Sequence, residues 1–172
     1  MSEEGSSLWA FSLSVYANAA VQAECLDLQD RHGNDVNLLL FCAHVGAVHC
    51  AVLSDTEIRQ AASIVGEWQN SIVKRLREAR RALKPFATVL SPILSSAATL
   101  RTGVKAIELK AERIEQMMLE AWATVRIDTW PRAQPAGAVA ANIHALFAMC
   151  GGSAQRAELP DQLVAAALAV AC

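Results

Sequence analysis

Residues 36–54 read VNLLLFCAHVGAVHCAVLS, a run without Asp, Glu, Lys or Arg. Such a run suits either a membrane span, which needs about 20 apolar residues, or a helix enclosed on every side by other helices. Asn37, His44 and His49 lie inside it, and its flanks are the acidic Asp35 and Asp55 rather than basic anchors. The run therefore predicts a central bundle helix capped by Asn34 or Asp35, and no membrane span.

An enclosed helix needs apolar partners, and the flanking sequence offers them at helical spacing. Upstream, a helix is expected after Ser6 or Ser7, with Leu8, Phe11 and Val15 on one face and Trp9, Leu13 and Tyr16 beside it. A second, over about 20–32, carries Val21, Cys25 and Leu28 and stops at Gly33, suited to a left-handed C-terminal turn. Downstream, Ser54-Asp-Thr-Glu57 is a capping box opening what is expected to be the longest helix. Its stripe is Ile58, Ala61, Val65, Trp68, Ile72, Leu76, Ala79 and Leu83, and Pro85 is expected to end it.

After Ser91-Pro92 a short packed helix is expected. Val104, Ile107, Ala111, Ile114, Met118, Ala121 and Val125 then alternate by threes and fours without a break, a seam expected to pair antiparallel with the helix from Ser54. Residues 130–137 (WPRAQPAG) form a turn-rich break. Two alanine-rich helices follow, at about 138–150 and 159–171, separated by Gly151-Gly152 and Pro160. Strand signals are nearly absent. The expectation is an all-α fold: a compact helical bundle of about six to eight helices with one long antiparallel pair. Residues 1–6 are expected to be a flexible N-terminus, 7–128 the bundle core, and 129–172 an alanine-rich extension packed on the same domain.

The chain's 172 residues, 53% hydrophobic and 19% charged, are enough for one self-sufficient core. A net charge of −2 gives no global attraction for nucleic acid, so no nucleic-acid partner is expected. Five scattered cysteines, odd in number and without a CxxC pair, read as reduced thiols. The start MSEEGSS lacks a signal-peptide pattern, and a cytoplasmic location is expected.

Four clusters invite chemistry. Cys42, His44, His49 and Cys50 are ligand types, but Cys42 and His44 point some 200° apart on a helix, and Cys42 and His49 lie about 10 Å apart along its axis, so no metal is expected. Glu24, Asp27 and Asp30, at steps of three, loosely match the magnesium-binding acidic motifs of prenyl-transfer enzymes, without a second motif to face them. Arg77, Arg80, Arg81 and Lys84 belong to a run of six cations over residues 74–84, which suits phosphate but equally suits a helix C-terminus with acidic neighbours. Asp30, His32, Asp35 and Asn37 crowd the junction at Gly33, where an imidazole beside a carboxylate is a workable acid or base. Capping and turn formation account for each of these junction residues as well. No P-loop, GxGxxG, HExxH or GxSxG is present, and no cofactor is expected.

Leu8-Trp-Ala-Phe11, Cys25-Leu-Asp-Leu-Gln-Asp30 and above all His32-Gly-Asn-Asp-Val-Asn-Leu-Leu-Leu-Phe-Cys42, with Trp68 and the basic run, resemble an uncharacterised family of small bacterial proteins, a domain of unknown function. The resemblance spans about residues 7–125 and leaves the alanine-rich tail outside; the family pattern often has tryptophan near the position of His44. It implies a bacterial, cytoplasmic helical protein and carries no activity.

The leading expectation is a non-catalytic protein that binds another protein, or itself, through the 104–125 helix. The alternative is a small-molecule binding protein or enzyme for an apolar or phosphorylated ligand, with a pocket near the Asp30 to Asn37 junction, ligand contacts from Trp9 and Tyr16, and the basic helix end nearby.

Overall fold

The computed structural model describes residues 7–87, 95–150 and 158–171. Among them the fold is all-α: α1 (Ser7–Tyr16), α2 (Ala19–His32), α3 (Val36–His49), α4 (Asp55–Trp68), a π-turn (Gln69–Val73), α5 (Lys74–Ala82), α6 (Lys84–Ala87), α7 (Ser95–Thr124), a 3-10 turn (Ile127–Thr129), α8 (Pro135–Met149) and α9 (Asp161–Ala171). The only extended pairing among these residues is an isolated antiparallel bridge between Ala51 and Arg132. The expected flexible N-terminus, the Ser6 cap, the Ser91-Pro92 helix start and the Gly151-Gly152 break lie outside the described residues, as does the His32 side chain.

The chain forms two compact units, one of Met1–Ile64 with Gln116–Cys172 and one of Val65–Glu115. In the first, α3 is the centre: eleven of its fourteen residues are buried, Asn37 and the run from Leu38 to Ala47. Asp35 caps it, accepting from the Asn37 and Leu38 amides at 2.9 and 3.3 Å. Gly33 ends α2 at φ +67°, with its own amide on Gln29 and that of Asn34 on Leu28, the double bond of a Schellman turn.

Helices α1, α2, α8 and α9 pack on α3, and α8 approaches it most closely. At Gly46 a methyl group would sit 2.5 Å from the Val139 nitrogen, so only glycine lets the two backbones meet. Asn142 of α8, fully buried, accepts from the Leu53 amide at 2.8 Å and donates to the Cys42 and Ala51 carbonyls at 3.2 and 3.0 Å. One amide side chain thus satisfies three buried backbone groups where α3 gives way to the following loop. The first turn of α9 is held by Glu24, whose carboxylate accepts from the Leu163 and Gln162 amides at 2.9 and 3.4 Å. Asp27, its neighbour in the acidic triplet, pairs with Arg31 at 2.7 Å.

The second unit is a helical hairpin, antiparallel by its own contacts: Trp68 Nε1 donates to the Ala111 carbonyl at 3.0 Å, while Arg77 and Arg80 reach back to Glu108. The expected stripe follows the structure through Ile58, Ala61 and Val65, then slips. From Val65 the buried positions are Gln69 and Val73, and Ile72 is exposed. Steps of four drift around an α-helix, and the wider π-turn at 69–73 absorbs that drift. Pro85 does not end the helix: after a break at Leu83 the chain stays helical to Ala87, because a proline in the first turn loses no intrahelical donor. The longest helix is α7, at 30 residues, starting nine positions before the expected seam. Likewise α8 begins at Pro135, which occupies its first turn rather than breaking the chain.

Gly46→Ala is expected to lower unfolding stability by about 3 kcal/mol through overpacking. Gly66→Ala, where no atom lies within 4 Å of the new methyl, is expected to raise it by up to about 1 kcal/mol. Urea unfolding of the two variants checks the pair.

Candidate functional site

Two places concentrate unusual chemistry, one in each unit. In the hairpin, α7 turns carboxylates inward and hydrophobic groups outward. Glu108 and Glu115 are buried with Ala111, whereas Ile107 is 55% exposed, Ile114 43% and Leu100 57%. Ile107 follows the seam expected from sequence, but it lies ~100° around the helix from Glu108. The seam is therefore rotated off the hairpin's internal face, and of its members in this unit only Ala111 is buried.

The inward face is electrostatic. Glu108, with a side chain 6% exposed, receives Arg77 Nε at 3.1 Å and both Nε and Nη2 of Arg80, while Arg77 Nη2 reaches Glu112 at 2.8 Å. Burial pulls the Glu108 carboxyl upward, and Arg80 and then Arg77 outweigh it, so the group is held below its ordinary range. Burial prevails at Glu112, which shares Arg77, and its carboxyl is lifted. For Arg77 burial is outweighed by Glu112 and Glu108, which reinforce its charge. Two members of the basic run thus satisfy α7, while Arg81 and Lys84 are exposed.

The hairpin is also strongly basic. Residues 65–115 hold ten of the fifteen Lys and Arg and five of the seventeen Asp and Glu, a net +5, against −7 for the rest of the chain. The flanks of the outward stripe carry Arg101, Lys110 and Arg113, while Lys105 lies about 160° around the helix from Ile107. Counting charge by segment rather than over the whole chain exposes this asymmetry in the sequence.

In the other unit a cavity of about 170 Å³ opens between α1, α3 and the end of α7, lined by Leu8, Phe41, Val45 and Ile127 with His44, His49 and Glu120 as its polar groups. The two imidazoles meet edge to face with centroids 4.9 Å apart, and His44 meets Phe11 in the same way at 5.1 Å. Burial first, then the His49 charge, pushes His44 down to about 4, against a weaker upward pull from Glu120. His49 is also lowered, by burial and then by Arg132. The Glu120 carboxylate accepts from the Leu8 amide at 3.2 Å, at the first turn of α1. Sequence reading set the histidines aside with the metal hypothesis and gave no signal for Glu120, since 76 residues separate it from His44. Among the described residues no group of three or more His, Cys, Asp or Glu is arranged to hold a metal ion.

The junction residues are brought into local structure. Asp35 caps α3, and Asn37 is buried and accepts from Gln116 Nε2 at 2.9 Å, which in turn accepts from Ser12 Oγ at 3.0 Å. Asp30 is exposed and accepts from Gln29 at 3.4 Å. Trp9 and Tyr16 lie half-buried on α1, and the Tyr16 hydroxyl hydrogen-bonds to Cys25, whose thiol burial pushes up to about 11. Cys25, Cys42, Cys50 and Cys150 are unbridged. No helix among the described residues is long and apolar enough to cross a membrane.

Residues 7–119 match a family described as Protein of unknown function (DUF2390). No curated protein and no solved structure matches the chain significantly.

His44 has a testable acid signature. Its value is 6.5 when unfolded and about 4 when folded, so the unfolded state takes up more protons as pH falls through that window. The stability present above pH 6.5 is then lost progressively, by about 2 kcal/mol at pH 5. In urea unfolding at pH 7.5 and pH 5, His44→Leu is expected to lose about that much less than the wild type.

Proposed function

The chain belongs to the DUF2390 family, and we propose that it works as a non-catalytic docking module whose basic hairpin receives an acidic amphipathic helix of a partner protein. The observation that carries this reading is the outward stripe of α7. Within residues 65–115 the large hydrophobic groups Ile72, Phe86, Leu100, Ile107, Leu109 and Ile114 are exposed, whereas the described apolar residues fully buried there are Val65, Val73 and Ala111. Among the described residues of this segment more large apolar side chains are left in water than are buried, which suits it to acquiring a partner.

Charge selects the kind of partner. The stripe is flanked by cations, and two copies of it face to face would bring those cations together. A helix with leucines at steps of three and four and glutamates on either side meets both features, burying its apolar face on Leu100, Ile107 and Ile114 while its carboxylates approach Lys110.

The test uses a synthetic helical peptide of ~three heptads, leucine on one face and glutamate on the flanks, and a second peptide with lysine replacing the glutamates. Fluorescence anisotropy is expected to detect binding of the acidic peptide, weakening as salt is raised, and no binding of the lysine peptide. Ile107→Glu combined with Ile114→Glu is expected to weaken binding at least about tenfold, ~1.4 kcal/mol, with the melting temperature unchanged. Equal binding of both peptides, an indifferent double variant, or capture by anionic lipid vesicles without peptide binding would each overturn the reading.

A further inference from the structure

The cavity in the first unit has Leu8, Phe41 and Val45 as a buried floor, with His49, Thr124 and Ile127 toward its mouth. It stands apart from the docking reading, since none of its lining residues belongs to the hairpin. We propose that this cavity binds a neutral, apolar molecule of one ring, held by packing against Leu8, Phe41, Val45, Ala123 and Ile127 rather than by a charged group.

Size sets the scale. A void of ~150 Å³ walled by aliphatic and aromatic groups holds one benzene-sized ring. This one measures about 170 Å³, and five of its nine lining residues have hydrocarbon side chains, so a single ring fits. Charge decides the rest, because the polar lining groups are engaged within the chain. Glu120 accepts from the Leu8 amide at 3.2 Å, His44 meets Phe11 and His49 edge to face, and both residues have further interactions in the chain. Burial holds both imidazoles toward the neutral form. Charges of both signs border the site: Glu120 in the lining, and Arg132, whose guanidinium donates to the carbonyls of the lining residues His49 and Ile127. A cationic ligand meets Arg132 and an anionic one Glu120, and either gives up its hydration without a lone opposite charge to replace it. A neutral ring gives up little, and its edge and faces suit the Phe41 and His44 rings.

The test compares three probes of similar shape on the full chain at pH 7.5: toluene, benzylamine and benzoate, the last two carrying opposite charges. Methyl-resolved NMR titration is expected to show toluene moving the Leu8, Val45 and Ile127 methyls, with a Kd at least tenfold below that of either charged probe. Thermal unfolding is expected to shift upward as toluene is raised. Ala123→Phe, which fills the cavity from its wall, should abolish the methyl shifts while the fold is retained. Because the three probes are compared on the unaltered chain, the result does not depend on the variant folding. Methyls that stay still in water saturated with toluene, shifts confined to Ile107 and Ile114 of the hairpin, or a charged probe binding as tightly as toluene would overturn the proposal.

Discussion

The central constraint is that α3 has no face for water. With eleven of its fourteen residues buried, every direction around it must be covered, and each neighbour is shaped by that demand. Gly46 removes the side chain that would hold α8 away, and Asn142 then takes over the backbone groups left without helical partners at the end of α3. Ser12, Gln116 and Asn37 join α1, α7 and α3 by a buried chain of hydrogen bonds. An apolar core can slide, whereas a polar chain of this kind fixes one register, because a slip would leave its members unsatisfied.

Two helices around that core begin on a carboxylate from elsewhere in the chain. Glu120 meets the first turn of α1, and Glu24 meets that of α9. Neither helix relies only on its own N-terminal residue, and each glutamate ties its own helix to another while answering free amides and a positive dipole end. The hairpin uses charge differently. Its internal contacts are guanidinium and carboxylate pairs, which hold their partners mainly by the penalty for separating them. That choice turns the outward stripe of α7 over to solvent.

The fold class was legible because its signals are local. The capping box at Ser54 forms as read, with Glu57 accepting from the Ser54 amide at 2.6 Å, and Gly33 and Asp35 take the turn and cap that their residue types announce. What sequence did not disclose was which way a helix faces once two patterns compete. On α7 the apolar seam from Val104 is more regular than the stripe of Glu108, Ala111, Glu115 and Leu119, yet the second is buried, since opposed arginines at residues 77 and 80 reward turning Glu108 inward. The π-turn was hidden for a related reason: steps of three and four continue through Ile72 and Leu76, and only the tertiary preference for Gln69 and Val73 shows that the helix has widened. The cavity joins residues 8, 44, 49 and 120, and no local pattern announces such a meeting. Geometry that denies His44 and His49 a shared metal says nothing of what else they face.

The position of α8 and α9 bears on how the chain is made. The family match ends at residue 119, inside α7, yet the helices that follow are main cover for α3, which a ribosome releases some ninety residues earlier. At synthesis rates of ~5–20 residues per second, this enclosed apolar helix waits several seconds before Val139 and Asn142 emerge. Nascent chains are therefore at their most adhesive in that interval, and a holdase chaperone that recognises bare apolar helices has its natural opportunity at residues 36–49.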